Sequence, residues 1–87
     1  MATPEPKTEI DLRGRTFEEA EPLLEKYLMD VYQAGLHSVS IIHGKGTGAL
    51  RSKVQNYLKG NGYVKSFRLG NWNEGSYGVT VVEINRD

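Results

Sequence analysis

The residues with the most chemistry in this sequence stand in one short loop, His43-Gly44-Lys45-Gly46-Thr47-Gly48. An imidazole titrates near pH 6.5, so His43 could give or take a proton at neutral pH. Lys45 supplies a mobile positive charge. Glycines at every second position allow positive φ and let the backbone approach a ligand closely. Leu50, Val54, Tyr57 and Leu58 then recur at helical spacing, so the loop opens a helix. The first N–H groups of a helix have no acceptor inside it and favour an anion. Arg51 and Lys53 lie on the first turns of that helix. These residue types in this order suit a phosphate group. The spacing is not that of a Walker A loop, and glycines running G-x-G-x-G are not the dinucleotide fingerprint, so nucleotide binding by either mode is disfavoured. A glycine turn serving geometry alone is the plain alternative.

The elements around the loop decide what can join it. Glu9-Ile10-Asp11-Leu12 alternates polar and apolar and predicts a short strand, broken at Gly14. Thr16 followed by Glu19 has capping-box spacing, and Phe17, Ala20, Leu24, Tyr27, Leu28 and Val31 give one apolar helical face. Pro22 should kink the entry of this helix, or the regular helix begins later than the capping box suggests. Gly35 suits a left-handed cap. Ser38 to His43 reads as a buried strand rich in β-branched residues. Gly60-Asn61-Gly62 stops the second helix. Val64 to Leu69 and Gly78 to Ile84 read as strands flanking a long turn, Gly70 to Tyr77.

The predicted fold is therefore an α/β two-layer sandwich of the α+β type. Its order is β-α-β-α-β-β, with two helices on one face of a mixed four-stranded sheet. The first two strands should be parallel, joined by a right-handed crossover, and the last two antiparallel. Parallel strands end on one edge, where sites form in open α/β sheets. Asp11, Arg13, Gly14 and Arg15, at the end of the first strand, should thus meet the glycine loop at the end of the second. Residues 1–8, with two prolines and little to bury, are expected to be a mobile leader or linker, and 9–87 the folded domain.

Composition narrows the partners. The chain has 87 residues, 11 basic and 11 acidic, and no cysteine. That excludes a disulfide framework and a thiolate metal site, and fits a reducing cytoplasm. No apolar run is long enough to span a bilayer, and no membrane partner is expected. The neutral total hides a division. No acid lies between Asp30 and Glu74, a stretch that holds Lys45, Arg51, Lys53, Lys59, Lys65 and Arg68. This basic half is either a local footprint for phosphates or an ordinary solvated face.

The two motifs resemble those of the small MutS-related (Smr) domain family. Ile10-Asp11-Leu12-Arg13-Gly14 stands for its L-D-L-[H/R]-G segment and His43 to Gly48 for its H-G-x-G-x-G segment. Tyr63 to Gly70 and Gly78 to Glu83 also resemble the family, so the likeness runs from about Glu9 to Ile84. The arginine form of the first motif is most similar to the domain that ends the second bacterial MutS paralogue. The resemblance implies a fold like the C-terminal domain of translation initiation factor three. It also implies nucleic-acid binding and, in several members, nicking endonuclease activity on DNA or RNA. The parent proteins join the domain to a MutS-like ATPase body, with roles in recombination control and in rescue of collided ribosomes. Branched DNA or ribosomal RNA would then be a partner. Members argued to be ribonucleases usually carry histidine where Arg13 stands; arginine clamps phosphate but cannot exchange a proton.

The catalytic expectation on this reading has four residues. Asp11 would orient or deprotonate a water, or hold a metal. His43 would act as general acid or base, while Arg13 and Lys45 would stabilise charge on the phosphate. The plainer readings are that His43 caps a strand end and Asp11 pairs with Arg13. Gly14, Arg15, Gly44, Gly46, Thr47, Gly48, Arg51, Lys53, Arg68 and Trp72 make up the expected nucleic-acid contacts. Trp72 would stack on an unpaired base, or pack over the hairpin or a partner. No resident metal is expected; Mg²⁺ or Mn²⁺ would be held partly by substrate. A non-catalytic DNA- or ribosomal-RNA-binding module is the alternative to an endonuclease, and a protein-interaction domain with an incidental anion site is a third reading.

Overall fold

The computed structural model describes residues 6–86. Along the chain come β1 (Glu9–Asp11), α1 (Phe17–Gln33), β2 (Ser38–Ile42), α2 (Ala49–Lys59), β3 (Val64–Leu69) and β4 (Val79–Ile84). The sheet runs β1-β2-β4-β3, with β1 and β2 parallel and β4 antiparallel to both neighbours. The β-α-β-α-β-β order and the mixed sheet are as the sequence predicts. Strand bounds differ by one residue at the ends of β1, β2 and β4. The long turn is not structureless: Trp72–Glu74 and Ser76–Gly78 each form a single 3-10 turn.

Helix α1 starts where the capping box places it. The Thr16 hydroxyl accepts from the Glu19 N–H at 3.2 Å, and the Glu19 carboxylate accepts from the Thr16 N–H at 2.9 Å. The helix does not begin later than this. It runs through Pro22 unbroken, because its cap and its buried face of Ala20, Leu24, Leu28 and Val31 outweigh one missing backbone bond. Gly35, at φ 83°, supplies the left-handed turn that follows. There the Arg86 guanidinium donates to the Val31 and Leu36 carbonyls at 3.1 and 2.9 Å.

One apolar layer joins helices and sheet. Leu24, Leu28, Val54 and Leu58 from the helices meet Val39, Ile41, Val82 and Ile84 from the strands, with Leu12 buried just past β1. Strand alternation puts the chain neighbours of these residues on the other, uncovered face. Asp11 pairs with Ile42, and Arg68 pairs with Val81, so both point to that outer face.

The folded part begins before Glu9. The Ser40 N–H donates to the Thr8 carbonyl at 2.9 Å, and the Tyr27 hydroxyl donates to the Lys7 carbonyl. These bonds hold residues 7 and 8 against the domain, which a strand pattern starting at Glu9 does not reveal. Residues 1–5 of the expected leader lie outside the described residues.

Candidate nucleic-acid interface

The glycine loop takes the backbone shape its sequence requires. Gly44, Gly46 and Gly48 have φ of 84°, 28° and 87°. Gly44 sits against the Arg13 stem, where a Cβ would lie 3.3 Å from Cγ. Gly48 caps α2 from the left-handed region, and a Cβ there would meet the Arg51 guanidinium at 2.6 Å. Side chains at these positions would cost strain or displace the two arginines.

His43 anchors the loop from below. It is 6% exposed. Its Nδ1 lies 3.0 Å from the Gly44 carbonyl, which can only accept, so Nδ1 carries the proton. Nε2 therefore accepts, at 2.7 Å, from the Thr80 hydroxyl. The Gln55 amide of α2 donates to the same hydroxyl at 3.3 Å. Burial pushes the imidazole below its ordinary pKa of 6.5. The bond to the Gly44 carbonyl opposes this, and the charge of Arg51 adds a smaller push in the same direction as burial. At neutral pH the ring is uncharged, with both nitrogens bonded. The backbone is pinned as well: the Gly78 carbonyl accepts from both the His43 and Gly44 N–H groups, at 3.1 and 2.9 Å. The Gly44 N–H is thus not an anion donor. In the first turn of α2 the Ala49 N–H donates to the Thr47 hydroxyl at 3.3 Å, and helical geometry leaves the N–H groups of Leu50 and Arg51 without acceptors inside the helix.

Asp11 and Arg13 form a closed pair on the outer face. The Arg13 guanidinium donates through Nη2 at 2.8 Å and Nε at 3.0 Å, and the Arg13 backbone N–H donates at 3.0 Å. The side-chain bond to Arg13, then its backbone bond, lower the carboxyl pKa from 3.8 to about 2. Asp11 and His43 reach the same sheet edge, as expected of parallel strands. Their side chains leave it on opposite faces: Asp11 shares a face with Ile42, His43 one with Thr80 and the core. The two do not converge on a single atom.

A cavity of about 420 Å³ opens between the starts of the two helices. Gly14, Arg15 and Thr16 line one wall, and His43 to Arg51 with Lys53 line the other. Four cations, Arg15, Lys45, Arg51 and Lys53, border it against one acid, Glu18, which stands 4.0 Å from Lys53. Arg68 and Trp72 are not among its lining residues. Arg68 is bound on the outer face by Glu74 at 2.9 and 3.2 Å. Trp72 is 89% exposed in the hairpin turn. No group of three or more His, Cys, Asp or Glu side chains that could hold a metal is present among the described residues.

The Smr domain family model matches residues 10–85. This chain belongs to the Smr domain family. Endonuclease MutS2 of Acetivibrio thermocellus is 60% identical over 77 residues, which cover 88% of this chain and 10% of that protein. Endonuclease MutS2 of Geobacillus kaustophilus is 60% identical over 76 residues, 87% of this chain and again 10% of the relative. The chain therefore spans about a tenth of the length of these curated relatives. The crystal structure of the Smr domain of Thermus thermophilus MutS2 superposes with a TM-score of 0.86 at 40% identity, covering 88% of this chain and 96% of that one. YdaL, a stand-alone small MutS-related protein from Escherichia coli, shares the fold, with a TM-score of 0.85 at 24% identity over 91% of this chain and 65% of that one. The likeness anticipated from the two Smr motifs is thus established, and so is the two-layer fold.

Four residues at the site escape a reading by motif: Gln55, Tyr77, Gly78 and Thr80. Thr80 had a signal, a lone hydroxyl at a core-facing position in the apolar run Val79-Thr80-Val81-Val82. Gly78 opens a segment that resembles the family but carried no role there, and Tyr77 had no signal, because only the antiparallel register of β4 against β2 carries them to the glycine loop.

Proposed function

We propose that this domain binds nucleic acid by seating a backbone phosphate at the glycine loop, and that within a longer MutS2-like protein it serves phosphodiester cleavage. The observation that carries the binding is the ring of Arg15, Lys45, Arg51 and Lys53 around one open cavity. Phosphate contacts of this kind position the chain without reading bases, so DNA and RNA are both accepted. Lys45 and Arg51 would neutralise the phosphate, with Arg13 beside Gly44 adding charge at the rim. His43, neutral and buried, would serve as a base before an acid. Branched DNA or ribosomal RNA is the target proposed for the whole assembly, with the MutS-like ATPase body attached. Mg²⁺ or Mn²⁺ would enter with substrate oxygens, since Asp11 and His43 on opposite faces do not form a site.

A second reading has an observation of its own. His43 has both nitrogens bonded and Asp11 is closed by Arg13, which suits a module that holds phosphate without cutting it. Plasmid DNA and structured RNA incubated with the domain, with and without EDTA, separate the two. Cleavage is expected to vanish in His43→Ala. Lys45→Ala should weaken binding and flatten the salt dependence by roughly one unit of slope. Binding without cleavage by the wild type selects the second reading. Affinity that does not fall with salt overturns both.

A further inference from the structure

We infer that Tyr77, not Trp72, is the platform on which an unpaired nucleobase stacks when its neighbouring phosphate occupies the glycine loop. The inference rests on the phosphate reading of that loop. Tyr77 is half exposed, and its ring lies beside the two cations best placed for the phosphate. The Lys45 Nζ stands 5.2 Å and the Arg51 Cζ 5.9 Å from the ring centroid. The ring is carried by a built turn. Gly75 and Ser76 both have positive φ, 108° and 56°, and the serine is the one described non-glycine residue in that region. Non-glycine residues take such a conformation only when the surroundings enforce it. Immediately after the tyrosine, the Gly78 carbonyl receives the N–H groups of His43 and Gly44, and a Cβ on Gly78 would lie 3.1 Å from the Lys45 stem. The hairpin turn and the glycine loop are thus joined through backbone bonds at the residue next to Tyr77.

Phosphate and base of one nucleotide are joined through the sugar, so a phosphate held between Lys45 and Arg51 brings its base within reach of an adjacent ring. An aromatic face accepts any base, because every base has a π-face. Neither ring lines the cavity itself. Trp72 is the more exposed aromatic, but Lys45 and Arg51, which do line it, are placed over Tyr77 and not over Trp72. The ligand class is therefore single-stranded or locally unpaired nucleic acid, DNA or RNA.

The test uses short single-stranded oligodeoxynucleotides, one normal and one abasic at every position, so that phosphate count is constant. An RNA oligomer of the same length is the third arm. Tyr77→Ala should weaken binding of the normal DNA and the RNA about tenfold, leave the abasic affinity unchanged, and leave the salt slope unchanged. Tyr77→Phe should bind like wild type, and Trp72→Ala should lose less than Tyr77→Ala. Equal losses on normal and abasic strands would mean that Tyr77 only positions Lys45 and Arg51, and would overturn the inference alone. Wild type that binds none of the three arms would overturn the phosphate reading and this inference with it.

Discussion

The two helices lie on the same face of the sheet and start side by side, yet their first turns are built in opposite ways. Helix α1 closes its own start: the Thr16 hydroxyl and Glu19 carboxylate take up free N–H groups, and Glu18 and Glu19 match the positive end of the helix dipole. Helix α2 has Gly48 at its cap, no side chain there to bond, and no acid in its first turn; the Thr47 hydroxyl takes up the Ala49 N–H at 3.3 Å, and nothing matches the reciprocal box of α1. Helix α2 carries Arg51 in that turn instead, a cation at the end of a helix that repels cations. Among the described residues only the Tyr77 ring, 5.9 Å from the Arg51 Cζ, offsets that placement. A helix start with so little capping and with positive charge around it would be completed by an anion from outside, which is what the proposed nucleic-acid phosphate would supply. On the proposed function, the first turn of α1 serves the fold and the first turn of α2 would serve the site.

Because the start of α2 has only the long Thr47 bond to hold it, it draws on support from elsewhere, and the His43–Thr80–Gln55 network ties the loop before it to its second turn. Thr80→Val keeps the volume but removes the hydroxyl, leaving the buried Nε2 unpaired. A loss of about 2 kcal/mol in urea unfolding is expected. Amide exchange should rise in the glycine loop and the first turn of α2 more than in the first turn of α1; equal loosening of both would break the comparison. The lowered pKa of His43 gives the same network a pH signature. Its folded value lies below the unfolded 6.5, so the unfolded chain binds more protons between the two values. Its contribution is complete above pH 6.5 and is lost as pH falls toward the folded value. The drop in unfolding midpoint between pH 7 and pH 5 should be smaller in His43→Gln.

A smaller effect tests the other helix. Thr16→Ala removes the hydroxyl half of the capping box and should cost about 1 kcal/mol of stability. Oligonucleotide affinity should stay at the wild-type value, since the Thr16 hydroxyl is engaged in the cap and the variant leaves the charge of neighbouring Arg15 in place. An affinity loss as large as that of Lys45→Ala would mean that the two starts act as one surface.

The sequence made the capped start legible and the open one only partly so. Thr16 and Glu19 interact over three residues, so their spacing alone predicts the bond that forms. The positive φ of Gly44, Gly46 and Gly48 is likewise local, a matter of what glycine permits between a strand and a helix. The partners of His43 are not local. Thr80 is 37 residues away, and Tyr77 reaches Lys45 and Arg51 only after β4 inserts between β2 and β3. Asp11 shows a second limit. Parallel pairing correctly brings it to the same edge as His43, but which face each side chain leaves by depends on register. With Asp11 opposite Ile42 rather than Ile41, the carboxylate leaves by the face away from the imidazole. The outward placement of Arg68 has the same origin, in its pairing with Val81.

The smallest expected change in stability bears most directly on function. Ala49 is the first residue of α2, exposed, and on the wall of the cavity. Ala49→Asp would place a carboxylate where the helix dipole and Arg51 both favour one. The free domain should gain about 0.5 kcal/mol in urea unfolding. Binding should move the other way, because the carboxylate would occupy the position proposed for the phosphate and cancel one of the cations that would attract it; the salt dependence of what affinity remains should flatten. Stability that rises while binding falls is the pattern of a helix start kept open for an external anion. A variant that gains stability and binds as tightly as wild type would show that the phosphate sits elsewhere, and the contrast between the two helix starts would then be one of folding alone.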